Sequence, residues 1–123
     1  MRKTASLVAA ASAVAMILGT SSIVMPGVAH ADQELIAKGK KIAENRKKGN
    51  CVACHQYQGA VSPGNIGPPL VAMKARFPDK AALKAQIWDP TAKNPATVMP
   101  PFGKHEILSE SEIDAIVEWV YSL

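Results

Sequence analysis

Apolar residues recur at the spacing of an amphipathic helix near the start and at the end of the chain. Residues 32–48 carry lysines on one side and an apolar stripe on the other, formed by Leu35, Ile36, Ile42 and Ala43. Gly49 stands where the C-cap of such a helix is expected. The pattern therefore predicts a first helix over residues 32–48.

Two further helices are predicted from their start signals. A short one follows Asp79, a typical N-cap residue, and runs to Trp88, because Pro90 cannot continue it. The last one begins with residues 109–112, Ser-Glu-Ser-Glu, which match a capping box. Its apolar face comprises Ile113, Ile116, Val117 and Val120.

The segments between these helices are rich in proline and glycine and lack the alternation typical of strands. Between residues 51 and 78 any regular element is interrupted by Gly59, Pro63, Gly64, Gly67, Pro68, Pro69 and Pro78. Such loops supply little apolar surface, and a domain of this size buries only about 60–65% of its unfolded surface. We predict an all-α domain whose core is completed by a large apolar cofactor.

The N-terminal segment has the features of a secretory signal peptide. Residues 1–3 supply positive charge, residues 5–28 carry none, and residues 29–31, Ala-His-Ala, form a small-x-small cleavage site. The uncharged run is also long enough for a membrane anchor, but serine, threonine, glycine and proline dilute it. We predict export and cleavage after Ala31, which leaves residues 32–123 as one domain without a membrane attachment.

Cleavage changes the charge balance. The whole chain has a formal net charge of +4, from 14 basic and 10 acidic residues. Loss of Arg2 and Lys3 leaves 12 basic residues and a net charge of +2, which does not indicate nucleic acid binding. The basic run that remains is either a solvated helix face or a docking patch for an acidic partner: Lys38, Lys40, Lys41, Arg46, Lys47 and Lys48.

The sequence Cys51-Val52-Ala53-Cys54-His55 matches the attachment motif of haem c. Two thiols three residues apart can each add to one haem vinyl group, and the His55 imidazole then falls under the iron. A redox dithiol would need a βαβ setting, and a zinc site would have only these three groups and His105 as ligands. A disulfide across two residues would be strained. We predict one covalent haem c.

Met73, Met99 and His105 are the candidates for the second axial ligand. Met99 lies in residues 98–103, Val-Met-Pro-Pro-Phe-Gly, where two prolines stiffen the strap that presents it. Most lone methionines fill cores, and we expect this of Met73; His105 is expected at the surface. Ligation by His55 and Met99 raises the reduction potential and favours electron transfer over oxygen chemistry.

These residues resemble those of the class I cytochromes c. In that family the first and last helices cross where a glycine faces an aromatic residue, and Gly39 and Trp119 match those positions. Residues 67–70, Gly-Pro-Pro-Leu, are similar to the family's segment after the attachment site. The resemblance implies that the Pro68 carbonyl accepts the Nδ1–H of the proximal histidine and that Leu70 packs on the haem.

A narrower resemblance, over about residues 49–123, is to the SoxX family, the monohaem subunits of SoxAX complexes in periplasmic sulfur oxidation. It rests on residues 64–70, 73–78, 86–89 and 98–103, which read GNIGPPL, MKARFP, QIWD and VMPPFG. The resemblance implies a periplasmic heterodimer with a SoxA-like cytochrome subunit. That complex is an L-cysteine S-thiosulfotransferase, which joins thiosulfate oxidatively to a cysteine of a carrier protein.

Both cysteines of the sequence belong to the haem motif, so the catalytic cysteine is expected on the partner subunit. This chain would then accept the released electrons and pass them to a soluble acceptor. A free-standing periplasmic class I cytochrome c shuttle would use the same haem site. An enzyme that binds a small ligand at an open iron would require that Met99 does not coordinate.

Overall fold

Residues 26–123 are described in the computed structural model, and they contain four α-helices, α1 (Pro26–Glu44), α2 (Met73–Arg76), α3 (Lys80–Trp88) and α4 (Glu110–Tyr121). Single 3-10 turns lie at Cys51–Ala53 and Pro90–Ala92. No strand occurs within residues 26–123, and the all-α class is confirmed. The short α2 has no counterpart in the sequence prediction, because four residues are too few for a helical period.

The predicted signal peptide falls largely outside the described residues, which begin at Pro26 in α1. Residues 26–31 of that segment belong to the helix. Within the described part of the chain, no helix combines the length and the apolar character needed to cross a membrane.

The end of the first helix was predicted wrongly, at residue 48 instead of Glu44. The cause is Asn45, whose side-chain Oδ1 accepts the Lys47 N–H at 2.9 Å and whose carbonyl accepts the Lys48 N–H at 2.9 Å. An asparagine side chain that bonds the backbone two residues on offers the chain an alternative to the helix. The chain therefore turns over residues 45–48.

Gly49 is not the C-cap that the sequence predicted, because α1 ends at Glu44. Asn50, which follows it, is in the left-handed conformation with φ of 47°, and the Gly49 N–H donates to the Ile42 carbonyl at 3.2 Å. Gly49 is buried, and a Cβ there would lie 3.0 Å from the Ile42 oxygen. The glycine therefore allows the turn after α1 to approach the helix closely.

Helices α1 and α4 cross at Gly39. A Cβ at this position would lie 1.9 Å from the Ala115 carbonyl oxygen, so only glycine allows the two backbones to approach so closely. Trp119 lies one turn further along α4, where it is buried and packs edge-on against Tyr57 at 5.1 Å between ring centroids. The group nearest to a Cβ at Gly39 would be the Ala115 backbone.

We expect Gly39→Ala to destabilise the protein despite the better helix propensity of alanine. Propensity alone would add about 1 kcal/mol of stability, whereas overpacking costs about 1–3 kcal/mol or more. The free energy of unfolding, measured by urea denaturation, should therefore fall. Ala37→Ser, an exposed change in the same helix, serves as the control; a Gly39→Ala protein as stable as the wild type would contradict the crossing geometry.

The capping box of α4 is confirmed. The Ser109 hydroxyl accepts the Glu112 N–H at 3.3 Å, and the Glu112 carboxylate accepts the Ser109 N–H at 3.0 Å. The same carboxylate pairs with Lys48 in the turn after α1. Glu112 therefore links the start of the last helix to the end of the first.

The hydrogen bond from Lys48, with that from the Ser109 N–H, lowers the pKa of Glu112 below its ordinary value. A lowered pKa means that the pairing stabilises the fold above the unfolded value of about 4.3 and is lost as the pH falls through the folded-state value. We expect Glu112→Gln to unfold at lower urea concentration than the wild type at pH 7. The difference should shrink towards zero below pH of about 4, and a difference independent of pH would refute this account.

Candidate haem-binding site

A cavity of about 790 Å³ opens between the helices and two proline-containing straps, residues 64–70 and 98–103. Cys51, Cys54, His55, Leu70 and Met99 all line it. Its inner wall is apolar and includes Phe77, Leu83, Ile87, Phe102, Ile116 and Val120. A cavity of about 300–1,000 Å³ with an apolar wall and few polar groups is typical of a cofactor site.

The attachment motif begins in a 3-10 turn, Cys51–Ala53, and the His55 N–H donates to the Cys51 carbonyl at 2.8 Å. Both cysteines are free of disulfide bonds. Burial raises the pKa of the Cys51 thiol to about 11. A redox dithiol works through a lowered thiol pKa, so the environment of Cys51 argues against that alternative.

The segment after the motif folds back along it through three backbone hydrogen bonds. The N–H groups of Gly64, Gly67 and Leu70 donate to the carbonyls of residues 52, 54 and 56 at 2.8, 2.8 and 2.7 Å. A Cβ on Gly64 would lie 1.9 Å from the Ala53 oxygen, which explains the glycine. This pairing sets the position of the proline pair between Gly67 and Leu70.

Two residues of that segment, Gly67 and Pro68, contact the His55 ring. Its Nδ1 lies 2.7 Å from the Pro68 carbonyl oxygen, and a Cβ on Gly67 would come within 2.5 Å of its Cε1. When Nδ1 carries the proton and donates to Pro68, Nε2 is the nitrogen with a free lone pair. The sequence resemblance drew attention to Pro68, but only the structure reveals the contact with Gly67.

The strap that carries Met99 is fixed at both ends. The Met99 N–H donates to the Thr97 hydroxyl at 3.2 Å, and the Gly103 N–H donates to the Trp88 carbonyl at 3.1 Å. A Cβ on Gly103 would lie 2.1 Å from the Trp88 ring, so the strap packs directly on the end of α3. Met99 itself is half-buried and faces the cavity.

The other two candidate ligands differ from Met99. Met73 also lines the cavity, but it is only 2% exposed and belongs to the apolar core. His105 is exposed and does not line the cavity. Residues 26–123 contain no group of three or more histidine, cysteine, aspartate or glutamate side chains placed to hold a metal ion.

The sequence profile of the family described as cytochrome C oxidase, cbb3-type, subunit III matches residues 34–120, most of the chain. The chain belongs to this family of cytochromes. It is a monohaem c-type cytochrome with one covalently bound haem c, and an electron-transport protein. The paired thiols, the imidazole and the apolar wall of the cavity fit this group.

Two proteins of similar sequence match this chain over different shares of their own length. The chain is 28% identical over 114 residues to cytochrome c-552 of Nitrosomonas europaea, which covers 86% of this chain and 94% of that protein. It is 36% identical over 76 residues to an uncharacterized lipoprotein of Aquifex aeolicus, a match to 61% of this chain. The match spans only 37% of the lipoprotein.

A solved structure resembles the fold. A chain of SoxXA from P. pantotrophus superposes with a TM-score of 0.63 and 26% sequence identity, over 70% of this chain and 79% of that chain. The resemblance to SoxX and the class I cytochrome c fold predicted from the sequence are thereby confirmed.

Proposed function

We propose that this cytochrome is the electron-transfer subunit of a periplasmic complex that joins thiosulfate to a cysteine of a carrier protein. The similarity to a SoxXA chain over 79% of that chain carries the proposal. The SoxX-like segments support it, because residues 64–70, 73–78 and 98–103 form the two straps and α2 around one cavity. The proposal includes cleavage of the signal peptide after Ala31 and residence in the periplasm.

In this proposal each site residue has a separate role. Cys51 and Cys54 would form the two thioether bonds, and His55 Nε2 and the Met99 sulfur would bind the iron. Pro68 accepts the His55 Nδ1–H and fixes the orientation of the imidazole, while Leu70, which lines the cavity, would pack against the porphyrin. Haem c, when bound, supplies a one-electron iron couple whose potential a methionine ligand raises.

The chain contains two cysteines, and both belong to the attachment motif. With both consumed as thioethers, this subunit has no thiol that could handle sulfur. The carrier thiol and thiosulfate form one S–S bond, and two electrons and the thiol proton are released. The catalytic cysteine therefore belongs to a SoxA-like partner subunit, and the electrons leave to a soluble acceptor.

The mouth of the cavity offers a surface for such a partner. Ile66 and Val98 line the cavity yet are 70% and 76% exposed. Exposed apolar residues beside a functional cavity are typical of a protein–protein contact. Three basic residues, Arg46, Lys48 and Arg76, also line the cavity, and no acidic residue of the described chain does.

Native mass spectrometry of the protein from its own periplasmic extract tests the proposal. We expect a complex with a second haem-bearing subunit, in which thiosulfate and the carrier protein reduce the cytochrome. Ile66→Lys should weaken the complex, whereas Val61→Lys, a change at an exposed valine that does not line the cavity, should not. Isolation as a single chain that thiosulfate never reduces would overturn the proposal.

The second candidate is a free-standing electron shuttle. The match to cytochrome c-552 favours it, because it covers 94% of that protein. The same haem ligands would serve, and the basic residues after α1 would dock an acidic redox partner. Tight association with a haem-bearing subunit at physiological ionic strength would exclude this candidate.

A further inference from the structure

The proline pair that holds the His55 imidazole cannot be fixed by its own backbone donors. Pro68 and Pro69 both lack an N–H group, so only their carbonyls are available to position them. The Pro68 carbonyl lies 2.7 Å from His55 Nδ1. The backbone hydrogen bonds of Gly67 and Leu70 fix the residues on either side of the pair. Within the pair itself, the Pro69 carbonyl is the backbone group left to anchor it.

That anchor is supplied by Arg76 of α2. Its Nη1 donates to the Pro69 carbonyl at 2.6 Å, and Arg76 is one of the residues that line the haem cavity. The same Nη1 lies 3.5 Å from the sulfur of Met73, a core residue only 2% exposed. The arginine therefore links the strap to the buried core through a helix remote from the motif in sequence.

No carboxylate of the described part of the chain competes for the guanidinium. Among residues 26–123, no carboxylate lies within ion-pairing distance of Arg76. Hydrogen bonds from a charged donor are about twice as strong as those between neutral groups. The Pro69 carbonyl is thus held by a charged donor.

We propose that Arg76 is a positioning residue for the proximal histidine, which acts by clamping the Pro69 carbonyl so that Pro68 remains in place as acceptor of the His55 Nδ1–H. The inference rests on the proposed role of His55 as axial ligand. Without the clamp, the hydrogen bond from His55 opens more often and donates less electron density to the imidazole.

The test is hydrogen exchange of the His55 Nδ1–H, followed by NMR in the reduced holoprotein. Arg76→Met keeps most of the apolar length of the side chain and removes its donors. We expect exchange about tenfold faster, the factor that corresponds to the loss of one hydrogen bond of ordinary strength. Arg76→Lys, which retains the charge on a flexible stem, should restore part of the protection.

Lys74→Met is the matched control, because it removes the same charge from the same helix. Lys74 lies 5.7 Å from the Tyr121 ring centroid and does not line the cavity. Its variant should exchange at the wild-type rate. A wild-type rate in Arg76→Met, even with reduced global stability, would show that Arg76 only stabilises α2 and would overturn the inference. If Arg76→Met yields no holoprotein, Arg76→Leu, which also lacks donors, decides by the same criterion.

The ligand assignment fails separately. In the oxidised wild-type protein, an imidazole bound to paramagnetic iron has strongly shifted ring resonances. Unshifted His55 resonances would remove His55 as a ligand whatever the Arg76 variants show. The association with a partner subunit is measured independently and does not affect either result.

Discussion

Met99→Ala is expected to leave the haem attached, to abolish the charge-transfer band of sulfur ligation in the ferric protein, and to lower the reduction potential. Both thioethers and His55 stay in place, so only the sixth ligand is lost. Axial ligation moves haem potentials over roughly 0.8 V, and we expect a decrease on the order of 0.1 V or more. Ferric absorption spectra and a redox titration measure the two effects.

Met73→Leu is the matched control for this change. Met73 lines the same cavity but is buried in the core, and leucine nearly conserves its volume. We expect an intact sulfur band, an almost unchanged potential and a loss of stability below about 1.5 kcal/mol. Loss of the band in Met73→Leu, with its retention in Met99→Ala, would exchange the roles of the two methionines.

The double change Cys51→Ala with Cys54→Ala should abolish cooperative folding. Without haem the apolar wall of the cavity, which includes the core residues Leu83, Ile87 and Ile116, would be open to water, and burial of each such side chain is worth about 1.5–3 kcal/mol. Small domains have only about 5–15 kcal/mol of stability in total. We therefore expect the helices to lose their native arrangement without covalent haem.

Circular dichroism with thermal melting measures this prediction. The purified double variant should show little helix signal and no sigmoidal transition. Ala53→Ser alters an exposed residue inside the motif, retains both thiols and should melt like the wild type. A sharp transition in the haem-free double variant would mean that the helices form a core of their own.

The parts of the fold that depend on local chemistry could be predicted from the sequence. Asp79 and Ser109 cap α3 and α4 as expected, because an N-cap bonds within three residues of itself. The end of α1 could not be predicted, since Asn45 stops the helix although the lysines after it continue the amphipathic pattern. Propensity and pattern do not decide between a helix and a side-chain turn.

The site shows the same division. The attachment motif and the Met99 strap are each one continuous stretch of sequence, so each could be recognised from the sequence. The contact of Gly67 with the His55 ring and that of Arg76 with the Pro69 carbonyl join groups whose spacing has no periodic signature. Gly103 against Trp88 is a further contact of this kind, between a loop and the end of α3.

The wall of the haem cavity and the hydrophobic core share residues. Leu83, Ile87 and Ile116 belong to both, so a substitution at any of them alters folding and the surroundings of the cofactor together. A substitution at these positions that changes the reduction potential of the haem therefore also changes the stability of the fold. The exposed residues at the mouth, such as Ile66 and Val98, lie outside the hydrophobic core, so their replacement changes the proposed partner surface and leaves the core intact.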